Sequence, residues 1–343
     1  MTLSSPSPNE ARNLYREAVP TKPPSDVFDP ERSKRQAKDL IDSALALLDE
    51  IRNYGLAAFK RSLVSSQGRA EDAVILFSYF GLLEMLDGVR VLIAEAAPVP
   101  ARPILRTIFE QLLTLRWLTE ADTERRTRAY LFVNMVRDRA FLEKCDPSSP
   151  AGRAFRKLLQ SDPLAAGAPL PNSAQAASRV KRLDQLLADP RYDEVHREYD
   201  ALKKTAKRRP EWYELFAGPR SIEQLAQRLG QTSHYEFVYR WLSRTSHAGD
   251  ALLARIAAVK PETPQRATLH LRPLRDADQI FIVVEHAANM AVQANWAVLD
   301  HFRPGEQQSS RRTYLRDIKP LRDRFESAAT EFEKQRRPPR TDR

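Results

Sequence analysis

The chain of 343 residues is long enough to bury a full core, as one large domain or two modest ones. Hydrophobic residues make up 42% and charged residues 29%, which suits helices with solvated faces, and only 10 glycines leave long uninterrupted segments. The formal charge of +10 favours polyanionic partners without naming one, and the single cysteine, Cys145, excludes an intramolecular disulfide framework.

One cysteine also fits a reducing compartment. No apolar run approaches the roughly 20 residues of a membrane span, and Met1 to Asn13 lacks the charged-then-apolar pattern of a signal peptide. A soluble cytoplasmic protein with no membrane partner is therefore expected.

Residues 1–32, rich in proline and serine, are expected to be a disordered tail. The first helix is predicted from Ser33 to Leu63, with Leu40, Ala44, Leu47 and Ile51 recurring at helical spacing. Ala70 to Ala97 is apolar most of the way round, which predicts a central, buried helix. Pro103 suits the first turn of a third helix reaching Glu120, and a fourth follows from Asp122 to Lys144.

A short helix around Arg153 to Gln160 and a Pro/Ala/Gly connection lead to two charged amphipathic helices, near Ala174–Ala188 and Tyr192–Arg208. Ser221 with Gln224 resembles a capping box opening a helix to Leu229, and Gly230 is a natural stop. A helix from Ser233 to Ala258 comes next. Residues 260–275 hold three prolines and read as a loop with a short extended piece at ATLHL. Helices from Asp276 to Phe302 and from Arg311 to Lys334 complete the chain. The whole predicts an all-α multi-helix bundle over residues 33–302, followed by a basic helix and tail over 303–343, where 12 Lys/Arg meet 7 Asp/Glu.

The most distinctive stretch is a ladder at four-residue steps, Tyr235, Tyr239, Ser243 and His247, with Arg240 and Arg244 alongside. Four-residue spacing keeps these groups on one arc of a helix. Arg240 and His247 differ by only about 20° around the axis and about 10 Å along it. An imidazole with nearby guanidiniums suits metal-free phosphoryl transfer. The histidine moves a proton of a ribose 2′-hydroxyl, the arginines hold the phosphate charge, and Ser243 or Tyr239 orients either group. The same residues also fit a bundle interior in which the tyrosine hydroxyls are satisfied and His247 is a bonded core histidine.

Arg106 and Glu110 stand four apart amid large apolar residues (ILRTIFEQLLTLRWL). A carboxylate in such company should be partly buried and partnered. It serves either as a structural ion pair or to orient a histidine or arginine of another helix. No metal or cofactor is expected, because paired Glu-x-x-His motifs, His-Glu-x-x-His, multiple thiolates and glycine-rich phosphate loops are lacking. The remaining histidines, His196, His234, His270, His286 and His301, read as isolated. The stripe Glu285, His286, Asn289, Gln293 and Asp300 reads as a solvated face. Residues 221–245 imitate a helix-turn-helix, although Phe237, Val238, Trp241 and Leu242 make the second helix too apolar for free exposure in a groove.

Two parts together resemble a bacterial helical family, domain of unknown function number 5677. One is the Arg106–Glu110 helix. The other is the run Trp212, Tyr213, Tyr235, Tyr239, Ser243 and His247. This likeness spans roughly residues 40–300. A looser resemblance is to the HEPN helical nucleases, whose arginine and histidine stand four to six residues apart. Arg240 and His247 have six between them, and Trp241 stands where those nucleases often carry a polar residue. That resemblance implies a homodimeric, metal-independent ribonuclease of a toxin or phage-defence system. In it His247 would be the general acid/base, Arg240 and Arg244 would sit on the phosphate, and Glu110 and Arg106 would orient them. The alternatives are a non-catalytic module binding RNA, a nucleotide or a protein partner, and a DNA-binding regulator.

Overall fold

The computed structural model describes residues 29–165, 173–246, 275 and 277–336. Among them every regular element is helical. Asp29 caps α1 (Pro30–Gln36) by accepting from the Arg32 amide, so the helical chain begins three residues ahead of the expected start. Four long helices then make the centre: α2 (Lys38–Ser65), α3 (Ala70–Ala94), α4 (Pro98–Glu120) and, much later, α11 (Ile280–Phe302). α2, α3 and α11 pack against one another, and α4 packs on α3 and α11. Between α4 and α11 come α5 (Thr123–Cys145), α6 (Pro150–Gln160), α7 (Ser173–Leu187), α8 (Asp193–Ala206) and α9 (Ile222–Arg228).

Thr232–His234, a π-helical turn at Tyr235–Tyr239 and α10 (Arg240–Ser246) follow α9. After α11 come α12 (Gln307–Thr313), a second π-turn at Tyr314–Ile318 and α13 (Lys319–Arg336). α13 lays Phe325 and Ala329 into the same core and packs on α2. No described helix is long and apolar enough to cross a membrane. The 1–28 tail and the ATLHL piece lie outside the described residues.

The centre is tight because small residues meet large ones. α11 buries Ala287, Ala288, Ala291 and Ala294, which allow neighbouring helices close approach. On α2, a Cβ at Gly55 would stand 2.6 Å from Leu83 Cδ2, so a side chain at this crossing of α2 and α3 would displace Leu83. The Tyr79 hydroxyl, buried at the same place, donates to Asn295 Oδ1 at 2.9 Å and ties α3 to α11.

Local signals placed several ends well. The Ser221 hydroxyl accepts from the Gln224 amide at 3.2 Å, while the Gln224 side chain reaches the Arg220 amide instead of closing the box on Ser221. Gly230 stops α9 with φ +67°. Two expectations are corrected. The third helix begins at Pro98, leaving Pro103 inside it, since only one carbonyl partner is lost so near the N-terminus. α3 is not enclosed on all sides. Phe77 is 74% exposed, and Phe80 and Val91 are exposed beside it, because α2, α4 and α11 cover only part of its apolar circumference.

Candidate functional site

α4 presents Arg106 and Glu110 one turn apart, and the rod containing the ladder packs on α4 through Val238, Tyr239 and Leu242. The ladder is not carried by a uniform α-helix. The Arg240 amide donates to the Tyr235 carbonyl, five residues back, which is the hydrogen bond of a π-turn. The wider turn brings residues four apart nearly into line, and the rings of Tyr235 and Tyr239 stack at 5.2 Å with planes 21° apart. Such turns interrupt α-helices frequently at functional sites.

Tyr239 is the residue that joins the two helices. Its hydroxyl donates to Glu110 Oε1 at 2.7 Å and accepts from Arg106 Nη2 at 3.1 Å. Arg106 Nε donates to the same carboxylate oxygen at 3.1 Å, closing a triangle. The Arg106 guanidinium also lies 5.0 Å from the Tyr239 ring, and Phe109 packs on that ring at 5.5 Å. Burial, reinforced by the Glu110 carboxylate, pushes the Tyr239 hydroxyl up to about 12. The phenol is a fixed donor through the neutral range. The side chains of Arg106 and Glu110 remain 31% and 40% exposed, so the triangle lies at the edge of the core.

The other predicted residues distribute differently. Arg240 pairs with Glu236 at 3.0 Å, with its side chain 59% exposed, and its guanidinium stands 5.8 Å from the Tyr235 ring. Ser243 is partly buried on α10. Arg244 belongs to the backbone of α10, but its side chain, like the whole of His247, lies outside the described residues. Among the described groups, then, Arg106 and Glu110 meet Tyr239, while Arg240 points its charge away from them to Glu236.

Residues 72–262 match a family model described as Family of unknown function (DUF5677), which is more than half of the chain. The chain belongs to this family. The matched DUF5677 span is shorter than the likeness read from sequence and includes α4, the Trp212–Tyr213 pair and the complete ladder. No curated protein and no solved structure matches the chain. In the DUF5677 span Trp212 and Tyr213 are buried, with Trp212 edge-on to Tyr130 at 5.2 Å.

Three arrangements were missed in the sequence. Arg102 continues the four-residue step of Arg106 and Glu110 on α4, and its guanidinium lies 4.2 Å over Trp241. That spacing was a usable signal. His234 and His286, read as isolated, stand edge to face at 6.0 Å, and burial lowers the pKa of both. No local pattern links residues so far apart. The stripe on α11 is also corrected: Arg322 of α13 donates to Glu285, Asn289 Oδ1 and the Tyr314 hydroxyl, with the Arg322 and Glu285 side chains only 17% and 21% exposed. α13 covers what an isolated α11 would leave wet.

Proposed function

We propose that this DUF5677 protein binds single-stranded RNA across the outer face of the ladder rod. The carrying observation is that Phe237, 81% exposed, stands three residues before Arg240, whose side chain is exposed and paired with Glu236. A bare aromatic face beside a guanidinium suits an unpaired base and its phosphate. Arg244 follows Arg240 at one further turn. The Arg106–Glu110–Tyr239 triangle supports the reading by holding the back of this rod to the bundle, so that the face is presented by a rigid element.

Fluorescence anisotropy with a short unstructured RNA tests it. Stacking of a base on an aromatic contributes about 1–3 kcal/mol, so Phe237→Ala should weaken binding about fivefold or more. Arg240→Gln should weaken it and flatten the salt dependence. Wild-type affinity in both variants would refute the proposal.

A second reading adds cleavage, and the six residues between Arg240 and His247 in the sequence favour it. Here His247 moves the 2′-hydroxyl proton and Arg240 and Arg244 stabilise the phosphate, in a homodimer of the kind that HEPN likeness implies. Incubating wild-type protein and His247→Ala with RNA in EDTA separates the two readings. Loss of cleavage with retained RNA binding supports catalysis. Binding without cleavage by either protein leaves the binding module.

A further inference from the structure

A second site shares no residue with the rod. Where α4 turns into α5, three guanidiniums line a cavity of about 320 Å³, together with the loop 215–218. That volume is at the lower end for small-molecule sites. The Arg126 guanidinium lies 3.6 Å from the Trp117 ring centre, Arg228 lies 4.7 Å from the same ring, and Arg125 lies 4.8 Å from the Phe216 ring.

The nearby acids are unevenly placed around them, gathering on Arg125 and Arg126 and leaving Arg228 aside. Asp122 and, at 3.8 Å, Glu194 both pair with Arg125, and Glu120 reaches Arg126 Nη1 at 3.3 Å; of these three only Asp122 lines the cavity. Arg228 has no carboxylate partner among the described residues, although a second guanidinium, that of Arg126, lies against the same indole. Arg126 has only 14% of its side chain exposed, and of its nitrogens only Nη1 donates within the described protein, to the Trp117 carbonyl and to Glu120. Its Nε and Nη2 make no hydrogen bond within the described protein. Like charges held together over a low-dielectric wall repel each other unless an anion joins them.

The loop wall is held in an unfavourable conformation. Phe216 and Ala217 are consecutive non-glycine residues with φ of +58° and +56°, a conformation that costs on the order of 1–2 kcal/mol per residue. The surrounding bonds over-determine it. Glu214 is gripped by both Arg208 nitrogens at 2.8 and 2.7 Å, Glu198 accepts from the Phe216 amide at 3.1 Å, and a Cβ at Gly218 would stand 1.9 Å from the Tyr213 carbonyl. Strain retained in this way marks a shape that the fold maintains for use.

We propose that this pocket binds a phosphate monoester, with Arg126 and Arg228 clamping its oxygens and Arg125, against Phe216, beside them. Arg228, without a carboxylate partner among the described residues, and Arg126, with donors left over, are the cations available to a monoester, whose charge is about −1.5 to −2 near neutral pH. Arginine's planar donor fork suits such an oxygen face.

Isothermal titration of the full chain with inorganic phosphate, adenosine 5′-monophosphate and adenosine tests this. Phosphate and the monophosphate should bind and adenosine should not. Arg228→Gln, a change at an exposed position, should weaken binding at least tenfold, and Arg228→Lys should recover part of it. No heat from either phosphate compound, or wild-type affinity in both Arg228→Gln and Arg126→Gln, overturns the proposal. Displacement of the monophosphate by a 5′-phosphorylated dinucleotide tells whether RNA ends also supply the ligand. Equal displacement by the 5′-hydroxyl form overturns the monoester assignment.

Discussion

Tyr239→Phe isolates the one oxygen that joins α4 to the ladder rod. The phenyl ring keeps its contacts with Phe109 and Tyr235, so no cavity is created and the change reads only the two hydrogen bonds to Glu110 and Arg106. A bond to a charged partner contributes about 1.5–3 kcal/mol when fully buried. Water reaches both partners here, since Arg106 and Glu110 are 31% and 40% exposed, and the loss should be about 1–2 kcal/mol in total. The assay is urea unfolding followed by circular dichroism, with Glu110→Ala and the double variant completing a cycle. The coupling between the two sites should exceed about 0.5 kcal/mol. pH gives a second readout. The Tyr239 pKa is raised from 10.0 to about 12 in the fold. The folded state therefore holds this proton more tightly than the unfolded chain, and stability should fall as pH rises from 10 towards 12, less steeply in Tyr239→Phe. A stability change within about 0.5 kcal/mol, the range of ordinary surface substitutions, together with an additive cycle, would refute the linking role.

Burial lowers the pKa of His234 and His286 below 6.5, so the unfolded chain takes up protons first and stability should decline as pH falls through 6.5. Urea midpoints at pH 8 and pH 5 should differ less in His286→Gln than in the wild type. Arg322→Met leaves Glu285 without its guanidinium in a largely covered site and should cost about 3–5 kcal/mol, seen as a lowered unfolding midpoint; an unchanged midpoint would mean that the network is idle. Ala217→Gly relieves a left-handed φ of +56° and should stabilise the protein by up to about 1 kcal/mol, measured as a raised Tm, whereas a lower Tm would show that the loop is not strained.

How much of this was legible depends on distance along the chain. Ser221 and Gly230 announced the ends of α9 because a cap involves groups only a few residues apart. Arg106 and Glu110 could be paired for the same reason, at one helical turn. The partner they hold was not legible. Tyr239 is 129 residues beyond Glu110, and the expected partner was a histidine or arginine of another helix, not a tyrosine. The π-turn decides the matter, because one extra residue in the turn alters which face of the rod meets α4. An α-helical wheel cannot register that.

The α11 stripe shows the complementary limit. Its polar residues fit a solvated helix as well as a covered one, and only the return of α13, bringing Arg322, distinguishes the two. By itself the sequence determined the helical class, the approximate ends of most elements and the family signature, because those depend on periodicity, caps and residue types at short range. Only the tertiary structure decided which polar groups meet: Tyr239 with Arg106 and Glu110, His234 with His286, and Arg126 and Arg228 on Trp117. Such contacts depend on which faces the packed helices turn towards each other, and the core as a whole sets that.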